Sequence, residues 1–283
     1  MTVYPFVIHL GPLEVTGYGL MLMVAFLMGG WLIARQLREQ QLREDYAADI
    51  VAAAVIGGIV GAKIWYVALT RDPGALFSRG GLVWYGGFFG GAIAVMLNGW
   101  RLKVPLRWTM QLAAPALAAA YALGRVGCFL VNDDYGRPTN LAWGMRFPQG
   151  LPPSTAGNLH QLFGVPVPPG IDPSTVLAVH PTQLYEVGAM LLAFAVLWSL
   201  RKRGRPIGWL FGLYLVFAGI ERFLVEIVRA KDDRFLGPFT LAQLTSVVII
   251  VIGILLLSRW RRAGDPSPGV YLETGKKPSV SNT

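Results

Sequence analysis

Leu112-Ala113-Ala114-Pro115-Ala116-Leu117-Ala118-Ala119-Ala120-Tyr121-Ala122-Leu123-Gly124-Arg125-Val126-Gly127-Cys128-Phe129-Leu130-Val131 is an apolar run of bilayer length, and it breaks into Asn132-Asp133-Asp134-Tyr135-Gly136-Arg137. A hydrocarbon core asks for about 20 apolar residues per helix, which this run supplies. It also carries one arginine. Arg125 sits a turn or two inside the run, where insertion scales put the cost at roughly 2.5–3.5 kcal/mol, so it calls for an anionic partner. Gly124 and Gly127 leave room for a headgroup or another backbone to come close. The alternative is an arginine that snorkels to the interface from a helix end.

The rest of the chain has the same character. Its 283 residues are 54% hydrophobic and 14% charged, with a mean hydropathy of +0.49. That is too apolar for a soluble domain of this size and sets the class as an all-α integral membrane protein. Seven runs are long enough to span, at about 17–35, 47–69, 83–100, 108–131, 182–200, 207–228 and 240–258. Basic clusters follow every odd-numbered run: Arg35, Arg38 and Arg43; Arg101, Lys103 and Arg107; Arg201 to Arg205; Arg259, Arg261 and Arg262. The even-numbered exits are poorer or balanced, with Arg71, Asp72 and Arg79 in one and Lys231 to Arg234 in another. The bias puts the N-terminus outside and the C-terminus in the cytoplasm. It also accounts for the net charge of +9 without nucleic acid. No basic stretch or small-residue cleavage site precedes the first run, so no cleaved leader is expected.

Residues 1–262 therefore form one membrane domain. Within it, 132–180 is an irregular extracytoplasmic cap, rich in proline, with a short strand such as Leu141 to Phe147. Its length suits a binding or lid role, or a passive linker. The polar segment 263–283 is expected to be a disordered cytoplasmic tail. Gly57 and Gly61 form a G-x-x-x-G in the second run, Gly86, Gly87, Gly90 and Gly91 crowd the third, and small residues at this spacing predict close helix–helix contacts.

Ionisable residues inside apolar runs carry most of the functional information. They are Lys63, Arg125, Glu186, Glu221, Arg222, Glu226 and Arg229. Arg222, Glu226 and Arg229 fall at i, i+4 and i+7 and so share one helix face, with Glu226 as a built-in partner. Such a face can hold Arg222 ready for a bidentate grip on an anion, or it can be a salt-bridge cluster that only fixes packing. Two arginines, Arg125 and Arg222, at headgroup depth point to a phosphate-bearing lipid. Tyr18 and Tyr85 lie at outer helix ends beside glycines and read as interfacial aromatics or as site residues. The three histidines lack companions at ligand spacing, so no metal site is expected. Cys128 reads as a packing residue, with a nucleophile as the alternative. Asp133 and Asp134, being adjacent, are expected to diverge.

In this order the motifs resemble those of the bacterial prolipoprotein diacylglyceryl transferases. The likeness runs through Tyr18-Gly19, Tyr85-Gly86-Gly87, Ala114-Pro115, Gly124 to Phe129 with Gly136-Arg137, His180-Pro181-Thr182-Gln183-Leu184-Tyr185-Glu186, and Arg222-Phe223 with Glu226 and Arg229. It implies transfer of the diacylglyceryl group of phosphatidylglycerol to the lipobox cysteine of a prolipoprotein signal peptide, at the outer leaflet of a bacterial inner membrane. No cofactor is implied. Arg125, Arg222 and Tyr85 would be catalytic, and Tyr18, Gly86, Gly87, Asp133, Gly136, Arg137, Glu226 and Arg229 would bind substrate. The chain departs from the family pattern at Tyr85, where many members carry a histidine, and at Cys128, Asp133 and Ala218. A phenol is a poorer base at neutral pH than an imidazole, which leaves proton removal open. A lipid-binding protein of the same fold without catalysis, and an ion-coupled transporter, are the competing readings.

Overall fold

The structure is a computed structural model and describes residues 1–11, 13–77, 81–231, 234–236 and 239–273. Chain segments cluster into two compact units. The first comprises Met1–Met28, Leu117–Arg205 and Trp209–Arg262; the second comprises Gly29–Ala116, Pro206–Gly208 and the segment from Ala263. The division passes through two continuous helices, α1 (Gly17–Glu39) and α4 (Leu106–Val131).

All seven apolar runs are helical. After the hairpin β1 (Val7–Leu10) and β2 (Leu13–Thr16) come α1, α2 (Tyr46–Thr70), α3 (Trp84–Arg101) and α4. The short α5 (Ala156–Gln161) lies in the cap, followed by α6 (Thr182–Leu200) and α7 (Trp209–Glu226). A second hairpin, β3 (Arg234–Leu236) with β4 (Phe239–Thr240), leads into α8 (Leu241–Arg262), and α9 (Val270–Glu273) follows. Five of these helices, α1, α2, α4, α6 and α8, are long and apolar enough to cross a membrane. Large apolar side chains such as Leu27, Ile56, Leu192 and Leu255 stand exposed along them, as suits helices solvated by lipid. The molecule is a helical, multi-pass membrane protein. The two small hairpins were not expected from the sequence.

In the second unit, α2 and α3 meet through glycine. A Cβ added at Gly57 would stand 2.6 Å from Gly90 O, and one at Gly61 would press into Gly86 O. This is a close contact of the kind the glycines predict, and it gives Gly86 a packing reason for having no side chain. The same unit corrects the expectation of a disordered tail. Asp265 accepts the N–H of Ile207 at 2.7 Å, Trp108 Nε1 donates to Pro266 O at 3.0 Å, and Leu272 is fully buried. Polar, proline-rich composition hid the apolar Val270-Tyr271-Leu272 that anchors this segment. The remaining tail, 274–283, lies outside the described residues, as do Arg79, Asp232 and Asp233.

In the first unit, α7 packs on α8 through Gly212, Gly219 and Gly253; a Cβ on Gly253 would lie 2.7 Å from Gly212 O. The cap is irregular, as expected, and its pairing is limited to isolated bridges such as Met145 with Val179 and Thr155 with Val176. It has a core of its own. Tyr135, Phe147, Leu159, Val165, Val179 and Ala230 are buried together, with the Tyr135 and Phe147 rings stacked at 5.5 Å. Ser154, fully buried, accepts from Phe147 N and donates to Leu177 O, both at 3.1 Å, tying the cap's ends.

Candidate active site

The site begins where α4 stops. Asn132 takes the left-handed conformation, φ 60°, its N–H bonds Phe129 O at 3.1 Å, and Asp133 N–H bonds Cys128 O at 3.2 Å. That is a Schellman ending, for which asparagine is a suitable residue after glycine. Asp134 is left-handed too, with φ 55°. These two turns bring the neighbouring aspartates back over the last turn of α4. Contrary to the expected divergence, ligand-type atoms of Cys128, Asp133 and Asp134 all lie within 4.8 Å of one another.

Guanidinium groups occupy this corner. Asp134 bridges two arginines, accepting from Arg125 Nη1 at 3.0 Å through Oδ2 and from Arg229 Nη2 at 2.6 Å through Oδ1. Arg125 also pairs with Glu186 of α6 and donates to Cys128 Sγ at 3.4 Å. The Arg125 and Glu186 side chains are 12% and 1% exposed, so this is a buried ion pair and not a snorkelling arginine. Tyr121 Oη, one helical turn before Arg125, donates to the second Glu186 oxygen at 3.3 Å. A buried pair keeps its charges only when its other lone pairs are satisfied, and Tyr121 and Asp134 do that here.

On α7, Arg222 pairs with Glu226 at 2.6 Å, as the i, i+4 spacing predicts. Arg229 does not share that face. The helix ends at Glu226, the chain turns through Ile227 and Val228, and Arg229 forms a bridge with Gly136 that aims its side chain at Asp134. Gly136 is tightly enclosed: a Cβ there would lie 2.5 Å from Val228 O and 2.7 Å from His180 Cβ. Arg137 N–H bonds Val228 O at 2.8 Å, and its Nε donates to Arg229 O at 3.0 Å. Gly136 and Arg137 thus fasten the segment after α4 to the segment after α7. Thr182 and Gln183, at the start of α6, donate to the carbonyls of Asp134 and Asp133.

The two aspartates differ in electrostatics. Burial, together with the charge of Asp134, pushes the Asp133 carboxyl up to about 6. Burial also acts upward on Asp134, but Arg229 and Arg125 outweigh it and hold that carboxyl below the usual range. His180, outside the helices, is lowered by burial.

Of the residues singled out in the sequence, the first unit brings together Arg125, Asp133, Gly136, Arg137, Arg222, Glu226 and Arg229. Tyr18 belongs to the same unit: a Cβ on Gly127 would sit 3.2 Å from Tyr18 Cα. Tyr85, Gly86 and Gly87 belong to the second unit, where Tyr85 is 57% exposed and lies edge-on to Trp84 at 5.2 Å between ring centroids. Sequence reasoning did not assign Asp134, Tyr121 or Gln183 a place in the site. For Asp134 the available signal was the Asn-Asp-Asp run, whose residues tolerate left-handed backbone.

Residues 5–259 match the sequence profile of the family described as prolipoprotein diacylglyceryl transferase. A phosphatidylglycerol–prolipoprotein diacylglyceryl transferase of Cupriavidus metallidurans is 32% identical, with 92% of this chain and 94% of that protein covered. Proteins of the same name from Nitratidesulfovibrio vulgaris and Clostridium tetani are each 30% identical, covering 92% and 91% of this chain and 95% and 99% of theirs. With its arginine cluster set in a helical membrane frame, the chain belongs to the prolipoprotein diacylglyceryl transferase family.

Proposed function

We propose that the protein transfers the diacylglyceryl group of phosphatidylglycerol to the lipobox cysteine of prolipoproteins, the first step of lipoprotein maturation. The observation that carries this reading is the partly buried arginine cluster of Arg125, Arg222 and Arg229, held in place by carboxylates before any substrate arrives. In the reaction the cysteine sulfur forms a bond to the glycerol carbon that bears the phosphate. The carbon–oxygen bond to phosphate breaks, the leaving glycerol phosphate keeps the electron pair, and the thiol proton passes to solvent or to the leaving phosphate. Negative charge gathers on the phosphate, so donors aimed at it in advance are what accelerate the step. Arg222 Nη1, buried and without a hydrogen-bond partner among the described residues, is available for a phosphate oxygen. Arg125 supplies a second, preset guanidinium. The nucleophile belongs to the substrate, so Cys128 need not react.

The same reading places seven spans in a bacterial inner membrane, the N-terminus outside and the cluster toward the outer leaflet, in line with the basic loops. The roles of Tyr85, Gly86, Gly87 and Tyr18 toward substrate rest on the sequence motifs. Incubating the purified protein with phosphatidylglycerol and a lipobox peptide tests the proposal. It requires glycerol phosphate release together with a peptide heavier by one diacylglyceryl group. Binding of phosphatidylglycerol with neither product would leave a lipid-binding protein of the same fold.

A further inference from the structure

The ion pairs of the cluster leave out two carboxyls, Asp133 beside the Cys128 thiol and Glu221 on α7. Arg125 has Glu186 and Asp134, Arg229 has Asp134, and Arg222 has Glu226. Glu221, next to Arg222 on α7, is in no ion pair among the described residues. It is 6% exposed, and its Oε1 is buried without a hydrogen-bond partner. It nonetheless belongs to the site, because the charges acting on it are those of Glu186, Arg222, Arg125 and Arg229. Tyr121, which donates to Glu186, feels the charge of Glu221 as well. On the neighbouring side of α7, α8 meets Gly219 with Ser246 and Ile250, and the Ser246 hydroxyl is already donated to Ala242 O at 2.7 Å.

A buried acceptor left unmade costs its full desolvation, so such an atom is expected to find a donor when the site fills. A phosphate oxygen cannot serve, being an acceptor and negatively charged. A hydroxyl can. Under the transferase reading, the leaving half of the lipid is a phosphate esterified to a glycerol with two free hydroxyls. Orphaned atoms therefore match the headgroup by type, with Arg222 Nη1 as a donor for phosphate and Glu221 Oε1 as an acceptor for an alcohol.

We propose that Glu221 is a specificity-determining residue: its free oxygen accepts a hydrogen bond from a headgroup hydroxyl while the arginines hold the phosphate. The site then selects polyol-bearing phosphodiesters over equally charged ones that lack hydroxyls. A pocket built to hydrogen-bond a hydroxyl discriminates strongly against analogues without it, because its polar atom is left unpaired. This inference rests on the transferase reading and adds to it a source of donor choice.

The test compares phosphatidylglycerol with phosphatidylethanol as donors in mixed micelles. The two carry the same phosphodiester charge and yield the same lipidated peptide. The parent protein should favour phosphatidylglycerol by about ten- to hundredfold in kcat/KM, the cost of leaving a buried acceptor unpaired. Glu221→Leu should lower transfer from phosphatidylglycerol by about that factor and from phosphatidylethanol far less, so that the ratio collapses toward one. Glu221→Gln, which keeps a carbonyl acceptor, should retain most of the preference. An unchanged ratio in Glu221→Leu, or an equal loss on both donors, would overturn the assignment and leave a structural role. Should Glu221→Leu fail to fold, product inhibition of the parent decides: glycerol phosphate should inhibit more tightly than ethyl phosphate by a similar factor, and equal inhibition counts against the proposal. A parent protein that used neither donor would instead sink the transferase reading, and that is seen before any variant is made.

Discussion

The α2–α3 seam of the second unit and the arginine cluster of the first are both close-packed, for opposite reasons. The seam is defined by atoms that are missing. Gly57, Gly61, Gly86 and Gly90 let two backbones touch, and a Cβ at Gly61 would come within 2.8 Å of Gly90 Cα. The cluster is defined by charges that are present, with Glu186 and Glu226 each 1% exposed against their arginines. In lipid there is little hydrophobic force between helices, so close packing and paired polar groups are the two devices left. The seam is vulnerable to added atoms and governs the fold. The cluster is vulnerable to lost atoms and, in the proposed function, carries the chemistry.

The largest effect should come from removing Arg125. Arg125→Ala takes away one preset donor, worth about 10²–10³ in rate. It also strands Glu186 without its cation, a loss of about 3–5 kcal/mol for a broken buried pair. Transfer should fall below detection while the protein still reaches the membrane, and full activity would remove the mechanism. Arg125→Lys should also be poor, since a point charge cannot replace a planar fork between two carboxylates. Gly61→Val probes the other side of the comparison. Overpacking should cost about 1–3 kcal/mol, read as a lower unfolding temperature in detergent. Gly124→Ala is the control, because a Cβ there meets nothing within 4 Å. Equal destabilisation by the two would mean that the seam is not close-packed.

The seam was legible in the sequence because a G-x-x-x-G spacing on a helix has one geometric meaning. The helices over the apolar runs were legible from their length and apolarity, down to a residue or two at most ends, and five of them are long and apolar enough to cross a membrane. The cluster was only half legible. Arg125, Glu186, Arg222 and Glu226 announce themselves as charges in apolar runs, but which cation meets which anion depends on where helices stop. Arg229 reads as a third residue on the α7 face only if the helix continues past Glu226, and it does not. Asp134 was passed over because two adjacent aspartates look alike until left-handed turns at 132 and 134 separate their environments. The ordered segment 263–273 shows the reverse case, in which a few apolar residues outweigh a composition that reads as disorder.

A smaller effect is expected at Tyr85, which lies on the glycine-rich helix yet is assigned to the chemistry by its motif. Tyr85→Phe should slow transfer by about ten- to hundredfold, the worth of one hydrogen bond to a charged group. Tyr85→His should keep or raise the rate if the pocket follows the family pattern that the sequence resembles. Wild-type rates in the phenylalanine variant would reduce Tyr85 to an interfacial aromatic.

The smallest effect sharpens the contrast within the cluster itself, between the two neighbouring aspartates. Asp133 is pushed up to about 6 by burial and by Asp134, from an ordinary 3.8. The folded protein therefore holds this proton more tightly than the unfolded chain. As pH rises from 3.8 the unfolded chain releases its proton first, so stability falls through the window up to about 6 and is level above it. Asp134 has the opposite sign: held below 3.8 by Arg229 and Arg125 against burial, it contributes stability above that pH and loses it only in stronger acid. Asp133→Asn removes the first penalty and leaves the second contribution alone. Its unfolding midpoint should rise relative to the parent between pH 4 and 6, then stay ahead by a constant margin up to pH 8. A margin that is the same at pH 4 as at pH 7 would show that Asp133 does not titrate in that window, and that its burial is offset by partners other than a proton.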